Sequence, residues 1–496
     1  MKKPQHNSLS KALGLISILL GMQLGFTQEI AWAQRENSLT TVAQNQDSPI
    51  CRKDLEPTIE EIINRPNLRR SRWGILVQTL NSQETIYSLA AERHFIPASN
   101  AKLLTTGAIL TQLGADFRIR TSFYGQGDVP NLNSLQVVGR GDPSLTTAKL
   151  KEVAQQLKEK GVEEIEQLIV QDGYFSEPSI LASWEWEDVY AYYGTAVNSL
   201  ILDENAVVLT LLPQELGEPV EVNWSNAIAA RQWQVENTAL TAPEGTPYGV
   251  TIDGVLGERT LRIDGELAAD ARPDIWGLAV RNPAQYFLSS LRTALVLEGI
   301  AVKESTVVTT SEINTTGEEI AAIESPPLEI LITTTNQPSN NLYAEALLRT
   351  LGVEKNSSGV AAMKESLSAL GVDSASYVLK DGSGLSRHNL VSPQAIVQTL
   401  RAIAKTPWAE IYRNSLPLAG VNGTLRRRFQ NTPLQGHLRA KTGTVTGTSA
   451  LSGYLEPDEF SPLVFSILIN QSDQSVATQR ATIDEIVLLL SRLRSC

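Results

Sequence analysis

The sequence predicts a mixed α/β (α+β) protein of several domains, and three observations predict it. An apolar run over residues 103–113 opens after Ser99 and stops at Gly114, the pattern of a buried helix. An alternating run over residues 449–455 reads as a strand. Between them, residues 201–271 alternate Val, Leu, Ile and Thr with turn residues and read as all-β. At 496 residues the chain also exceeds what one hydrophobic core usually holds.

Taken in order, residues 74–80 and 85–89 form a hairpin around Asn81-Ser82 and deliver the chain to the helix that begins near Ser99. After Thr121 the texture changes to short strands and turns, with a charged helix over 148–160 and a strand over 168–171. Helix signals resume over 283–297 and a strand follows over 302–309. From about residue 318 the texture of the first segment returns. Pro338 bounds a polar cluster that leads into a helix through Leu342, Leu347 and Leu348, and a last periodic helix runs past Ile483, Ile486, Val487 and Leu490.

Lys2 and Lys3 precede an uncharged segment over residues 12–26, and Ala31-Trp32-Ala33 offers small residues at a cleavage point. This predicts an exported protein with a signal peptide over 1–33, Gln34 as the first mature residue, and a polar, disordered leader over 34–50. The alternative is an uncleaved anchor. No later window is long and apolar enough to span a bilayer, so no integral membrane span is expected after signal removal. The whole chain carries a formal charge of −12; residues 1–33 hold three lysines and one glutamate, so the remainder carries −14. That surface argues against nucleic acid or anionic lipid as a partner.

Three short motifs carry the candidate chemistry. In Ser99-Asn-Ala-Lys102 the serine stands at a helix start and the lysine one turn on, where residues three apart share a face and an amine can reach the hydroxyl. A serine is a weak nucleophile unless a base assists it, and an amine kept neutral by burial can serve. In Ser339-Asn340-Asn341, Ser339 supplies a second hydroxyl for proton relay and Asn341 an amide for a substrate carbonyl. Lys441-Thr442-Gly443-Thr444 precedes the strand at 449–455 and suits a substrate carboxylate, with Gly443 admitting a ligand close to the backbone. Each motif has a plain reading of its own: a capped helix with a solvated lysine, a second helix cap, and an ordinary turn.

In this order the three resemble the S-x-x-K, S-x-N and K-T-G motifs of penicillin-recognising serine enzymes. The 237 positions from Lys102 to Ser339 require a large insertion, which resembles the class C low-molecular-mass penicillin-binding proteins, the D-alanyl-D-alanine carboxypeptidase/endopeptidase family. Gly139-Arg140-Gly141-Asp142-Pro143, Trp184-Glu-Trp186-Glu-Asp188 with Tyr193-Gly194, Asp381-Gly-Ser383-Gly384 and Gly423-Thr424-Leu425 resemble the same family. The likeness runs from about residue 55 to the C-terminus. It implies a β-lactamase/transpeptidase-like catalytic domain, an antiparallel sheet flanked by helices, built from residues 51–120 and 311–496. Nested in it are an inserted domain, 121–200 and 272–310, and within that an inner β-rich domain, 201–271.

The resemblance further implies a serine carboxypeptidase, or an endopeptidase, that acts on peptidoglycan stem peptides ending in D-Ala-D-Ala and is acylated by β-lactams. Ser99 is the implied nucleophile and Lys102 its base. Ser339 is the implied relay, Asn341 a holder of substrate, and Lys441, Thr442, Gly443 and Thr444 the carboxylate site. By like-charge repulsion Lys441 also biases Lys102 toward its neutral form. Asp188 and Tyr193 are implied to bind a side-chain amine of the stem peptide. Cys51 and Cys496 are the only cysteines, and because the terminal helices of this superfamily lie side by side, a disulfide between them is implied; the alternative is two free thiols.

A β-lactamase, or a non-catalytic cell-wall binding protein, are the competing functions, disfavoured by the long spacing and by the intact motifs respectively. His94, His388 and His437 come with no G-x-S-x-G elbow, and no H-E-x-x-H, C-x-x-C or Walker loop is present, so no cofactor and no metal are expected. Arg140-Gly141-Asp142 reads as part of a turn and not as an adhesion signal.

Overall fold

The computed structural model describes residues 48–310, 312, 315 and 317–496. The expected signal peptide over 1–33 and nearly all of the expected leader over 34–50 lie outside the described residues. Backbone contacts divide the rest into two units, a larger one of residues 48–189, 193–205 and 280–496, and a smaller one of residues 190–192 and 206–279.

The larger unit begins with helix α1 (Arg52–Ile63), the hairpin β1 (Arg72–Thr79) and β2 (Thr85–Leu89), and helix α2 (Ala101–Leu113). The chain then enters a second set of elements: β3 (Arg120–Asp128), β4 (Asn131–Val138), α3 (Thr147–Glu159), β5 (Glu164–Gln171), α4 (Pro283–Leu297), β6 (Ala301–Val308) and β7 (Glu318–Glu324). Helices α5 (Leu328–Asn336), α6 (Asn341–Glu354), α7 (Gly359–Ala369) and α8 (Pro393–Ile403) follow. Strands β8 (Leu438–Val445), β9 (Thr448–Leu455) and β10 (Leu463–Asn470) and helix α9 (Val476–Ser491) complete it.

Strands β8, β9, β10, β1 and β2 make one five-stranded sheet in that order, every neighbour antiparallel. Helices cover both faces, so β9 and β10 are buried along their whole length. On one face Leu103, Leu104, Leu331, Leu347, Ile396 and Leu468 form a core among α2, α5, α6 and α8. On the other, Leu55 and Ile59 of α1 and Ile486 and Leu490 of α9 pack against Ile75, Phe465 and Ile467. The helix starts follow from their caps: Asn340, Ser358, Ser392 and Ser475 each accept a backbone N–H of the first turn, and Pro393 opens α8 where its missing N–H costs nothing. The two ends of the described chain meet beside α1, where residues 50–51 pair in parallel with 493–494 and a disulfide joins Cys51 to Cys496.

The second sheet runs β6-β5-β4-β3-β7, with β6, β5 and β4 parallel and β3 and β7 antiparallel to their neighbours. Here the expected boundaries shift. Residues 318–324, expected to belong with the first segment, pair with β3 at the edge of this sheet. Their alternation, Glu-Glu-Ile-Ala-Ala-Ile-Glu, fits either sheet; only the pairing decides. In the smaller unit, 274–279 pairs antiparallel with 206–212, which pairs with 221–224; a second sheet joins 251–254, 260–264 and 234–237, and 240–242 pairs with 266–268. The β-rich segment therefore extends to Ala279, beyond the expected 271. It starts at Ala206, because residues 201–205 belong to the larger unit. No helix among the described residues is long and apolar enough to cross a membrane.

Candidate active site

Ser99 sits in a 3-10 turn, Ala98–Asn100, that leads directly into α2, and Ala98 before it takes a left-handed φ of 47°. One turn on, Lys102 is fully buried, and its Nζ donates to Ser99 Oγ at 3.0 Å, to Asn341 Oδ1 at 2.6 Å and to the Ser383 carbonyl at 2.6 Å. Burial drives the Lys102 amine down to about 7, against the opposing fields of Asp381 and Glu345. An amine so placed is substantially neutral at pH 7 and has a hydroxyl within reach.

Lys441, on β8, is buried as fully. Its Nζ donates to Ser339 Oγ at 2.8 Å and to the Thr442 carbonyl at 3.0 Å. Its amine lies well below the ordinary lysine range, chiefly through burial and then through repulsion from Lys102. Burial is the chief cause at both lysines, and at Lys102 the fields of Asp381 and Glu345 oppose it. Ser339 takes a left-handed φ of 65°, immediately before the Asn340 cap of α6.

Strand β8 lies against the Ser99 turn. A Cβ at Gly443 would stand 2.8 Å from the Pro97 carbonyl and 3.1 Å from the Ser99 N–H, so only glycine lets the strand approach so closely. Asn100 Nδ2 ties the two segments by donating to the Lys441 carbonyl at 3.1 Å. Thr442 donates its hydroxyl to Thr424 Oγ1 at 2.7 Å, and Arg480 of α9 donates to Thr444 Oγ1 at 3.3 Å.

Two hydrogen-bonded sets, Ser99–Lys102–Asn341 and Ser339–Lys441–Thr442, are thus linked through Asn100 on the Lys441 carbonyl, with Gly443 packed on the Ser99 turn and Thr444 next to it on β8. Tyr193 joins the rim of the first set, its carbonyl accepting from Asn341 Nδ2 at 2.8 Å and its hydroxyl donating to Asp188 at 3.1 Å. Burial raises the Asp188 carboxyl. None of these bonds involves a histidine. Asp142 of the Arg-Gly-Asp stretch is buried and accepts from the Ser144 N–H and hydroxyl, a turn and not a displayed signal. The cavity of about 580 Å³ beside Gln78, Gln394 and Arg401 contains none of the site residues.

Sequence reasoning missed the carboxylates beneath Lys102. Glu345 of α6 is buried and accepts from the N–H groups of Gly382 (2.9 Å) and Ser383 (2.6 Å). Asp381 is buried and accepts four bonds, from Gly384 N, Ser386 N, Asn389 Nδ2 and Trp184 Nε1. Together they shape the loop whose Ser383 carbonyl receives Lys102. Gly384 (φ 83°) lets that loop meet the Ser99 turn, since a Cβ there would lie 1.9 Å from the Ala98 carbonyl. The motif Asp381-Gly-Ser383-Gly384 carried the available signal, but nothing in it pointed at Lys102.

Residues 55–493 match the D-Ala-D-Ala carboxypeptidase 3 (S13) family. The chain is 32% identical over 438 residues to the D-alanyl-D-alanine carboxypeptidase of Actinomadura sp. (strain R39), covering 84% of this chain and 81% of that one. It is 28% identical over 484 residues to the penicillin-sensitive carboxypeptidase A of Dictyostelium discoideum, covering 89% and 92%. Among solved structures it is similar to penicillin binding protein 4 (dacB) from Haemophilus influenzae, with a TM-score of 0.76 at 25% identity over 87% of this chain and 98% of that chain; the same protein is also known complexed with a β-lactam.

Proposed function

This chain belongs to the D-Ala-D-Ala carboxypeptidase 3 (S13) family, and from that premise we propose that Ser99 is the nucleophile of a serine-type D-Ala-D-Ala carboxypeptidase and Lys102 its general base. The enzyme is a penicillin-binding peptidoglycan hydrolase whose work lies outside the cytoplasm, and the periplasm or cell envelope is the compartment we assign it. The observation that carries the site reading is the fully buried Lys102 ammonium, held down to about 7 and 3.0 Å from the Ser99 hydroxyl.

In this reading Ser99 Oγ attacks the carbonyl of the terminal D-Ala-D-Ala bond while its proton passes to Lys102. The N–H groups of Ser99 and Thr444, brought close by Gly443, hold the oxyanion. Ser339, bonded to Lys441, hands its proton to the departing D-alanine amine and takes in exchange the proton that Lys102 received, so that Lys102 is neutral again before the second step. Water then attacks the acyl-enzyme, its proton passes to Lys102 and back to Ser99 Oγ, and the shortened peptide leaves. Lys441, Thr442 and Thr444 receive the terminal carboxylate, and Arg480 behind Thr444 adds positive charge there. Asn341 orients the acyl portion, and Asp188 with Tyr193 meets a side-chain amine of the stem peptide. The sheet from β8 to β2 and its helices form the catalytic domain, with the second sheet and the β-rich unit as insertions.

Labelling with a fluorescent penicillin tests the core of this reading. Wild type is expected to label stoichiometrically and Ser99→Ala not at all, with an unchanged melting temperature. Persistent labelling of the folded alanine variant removes Ser99 from the role.

A further inference from the structure

Three consecutive residues, Asp203, Glu204 and Asn205, take left-handed φ angles of 48°, 57° and 49°. Asp and Asn tolerate that region because a short polar side chain can bond locally; Glu does not share the advantage. The flanking two are locked as expected. Asp203 accepts from the Thr147 N–H at 2.9 Å, from the Thr147 hydroxyl and from the Tyr286 hydroxyl at 2.8 Å. Asn205, fully buried, donates to the Ala196 carbonyl and to Asn198 Oδ1, both at 2.9 Å, and accepts from Leu202 N at 3.1 Å. Its carbonyl is held by Thr195 Oγ1 and Val280 N.

Glu204, the middle residue, makes none of these bonds. Its carboxylate instead accepts from Asn340 Nδ2 at 2.8 Å. Asn340 lies between Ser339, whose hydroxyl meets Lys441, and Asn341, whose side-chain Oδ1 meets Lys102. The other end of the Asn340 amide caps α6 through Tyr343 N at 3.1 Å. With both ends of its side chain bonded, Asn340 has one orientation, and Ser339 with its left-handed φ of 65° immediately precedes it.

We propose that Glu204 is a positioning residue for the reaction: a strained turn just before the β-rich unit holds its carboxylate on Asn340, and this sets Ser339 and Asn341 against the two lysines. Strain of this kind persists where the surroundings over-determine it, and here the bonds of Asp203 and Asn205 do so. The inference rests on the roles given above to Ser339 and Asn341.

Glycine separates positioning from mere structure, because it accepts a left-handed φ freely while deleting the carboxylate. Glu204→Gly is expected to melt at or above the wild-type temperature, yet to be acylated by a fluorescent penicillin about tenfold or more slowly. Glu204→Gln keeps an acceptor for Asn340 and is expected within about threefold of wild type; Glu204→Ala loses both the acceptor and stability. A wild-type rate in Glu204→Gly overturns the proposal. So do rates that simply follow melting temperature across the three variants, or a Glu204→Gln enzyme no faster than Glu204→Gly. Failure of the site reading shows differently, as Ser99→Ala that still labels.

Discussion

The two carboxylates beneath Lys102 exert a field of the same sign on it but differ in how many donors depend on them, and this makes a sharp comparison. Asp381 accepts two bonds on each oxygen, Gly384 N and Asn389 Nδ2 on one, Ser386 N and Trp184 Nε1 on the other. In Asp381→Asn one oxygen becomes an amide that donates, leaving two buried donors facing it. At about 1–3 kcal/mol for each unsatisfied buried group, the variant loses about 2–6 kcal/mol. That corresponds to a melting temperature lower by on the order of 5 °C or more. In Glu345→Gln the outcome differs, because both bonds fall on one carboxylate oxygen that the amide retains as its carbonyl. No donor is orphaned.

Both substitutions nonetheless remove a field that raises the Lys102 amine. Lys102 acts as a base only above its pKa, so the acid limb of the acylation rate lies near pH 7 in wild type and moves to lower pH in each variant. Glu345 adds a stability signature. Burial, and then the neighbouring Asp381, push its carboxyl up to about 7 from an ordinary 4.5, so the folded state holds a proton that the unfolded state has already released. Wild-type stability from this group is complete below about 4.5 and is lost as pH rises through about 7; Glu345→Gln is expected to lack that decline. Thermal unfolding across pH 4–8 and stopped-flow acylation across pH 5–9 read both effects. An unchanged melting temperature in Asp381→Asn, or an acid limb that stays or rises in either variant, refutes the argument.

Two further outcomes follow from the chain ends and the rim of the site. The Cys51–Cys496 disulfide closes nearly the whole chain, so denatured, unreduced protein is expected to show no free thiol and reduction to cost about 2–5 kcal/mol, read as a lower melting temperature; two titratable thiols would contradict it. Asp188→Asn is expected to lower kcat/KM about tenfold or more for peptides with a diamino-acid side chain, since breaking a desolvated pair costs about 2–5 kcal/mol, and to leave acylation by simple penicillins near wild type. Equal loss on both substrates would point to misfolding or to the shared chemistry, and no loss on either would return Asp188 to the protein surface.

The motif residues were legible because each lies in a locally recognisable context: Ser99 and Lys102 one turn apart, Ser339 and Asn341 at a capped start, Lys441 on a strand. Their meeting was not, since 237 positions of other structure separate Lys102 from Ser339 and only resemblance could join them. Helix α5 escaped for a different reason. Ile330, Ile332 and three consecutive threonines favour a strand by propensity, yet each threonine hydroxyl turns back to the carbonyl four residues earlier, at 2.7, 3.1 and 2.8 Å, and Leu328, Leu331 and Ile332 bury on the core while Ile330 stays exposed. The turn at Asp203–Asn205 has no glycine to announce it. Glu345 and Asp381 sit in stretches that read as ordinary helix and loop, because what gives them a role is the burial of an ammonium brought from another part of the chain.

That burial carries a constraint of its own. Lys102, Lys441, Glu345 and Asp381 are all almost wholly removed from water, and an isolated buried charge is too costly to persist. Each is instead met by donors or acceptors of fixed geometry, and proton occupancy adjusts where geometry does not suffice: both lysines are lowered and Glu345 is raised. At Lys102 burial outweighs the opposing carboxylate fields without abolishing their effect, which leaves this lysine titrating near neutrality. A lysine with no carboxylates nearby would be driven further down, as Lys441 is, becoming a weaker proton acceptor. One with a fully exposed amine would stay protonated. The loop from Asp381 to Gly384 therefore does two things with one set of bonds: it fixes the carbonyl that aims the Lys102 amine at Ser99, and its own Asp381, with Glu345 of α6 bonded to it, keeps that amine basic enough to take the proton.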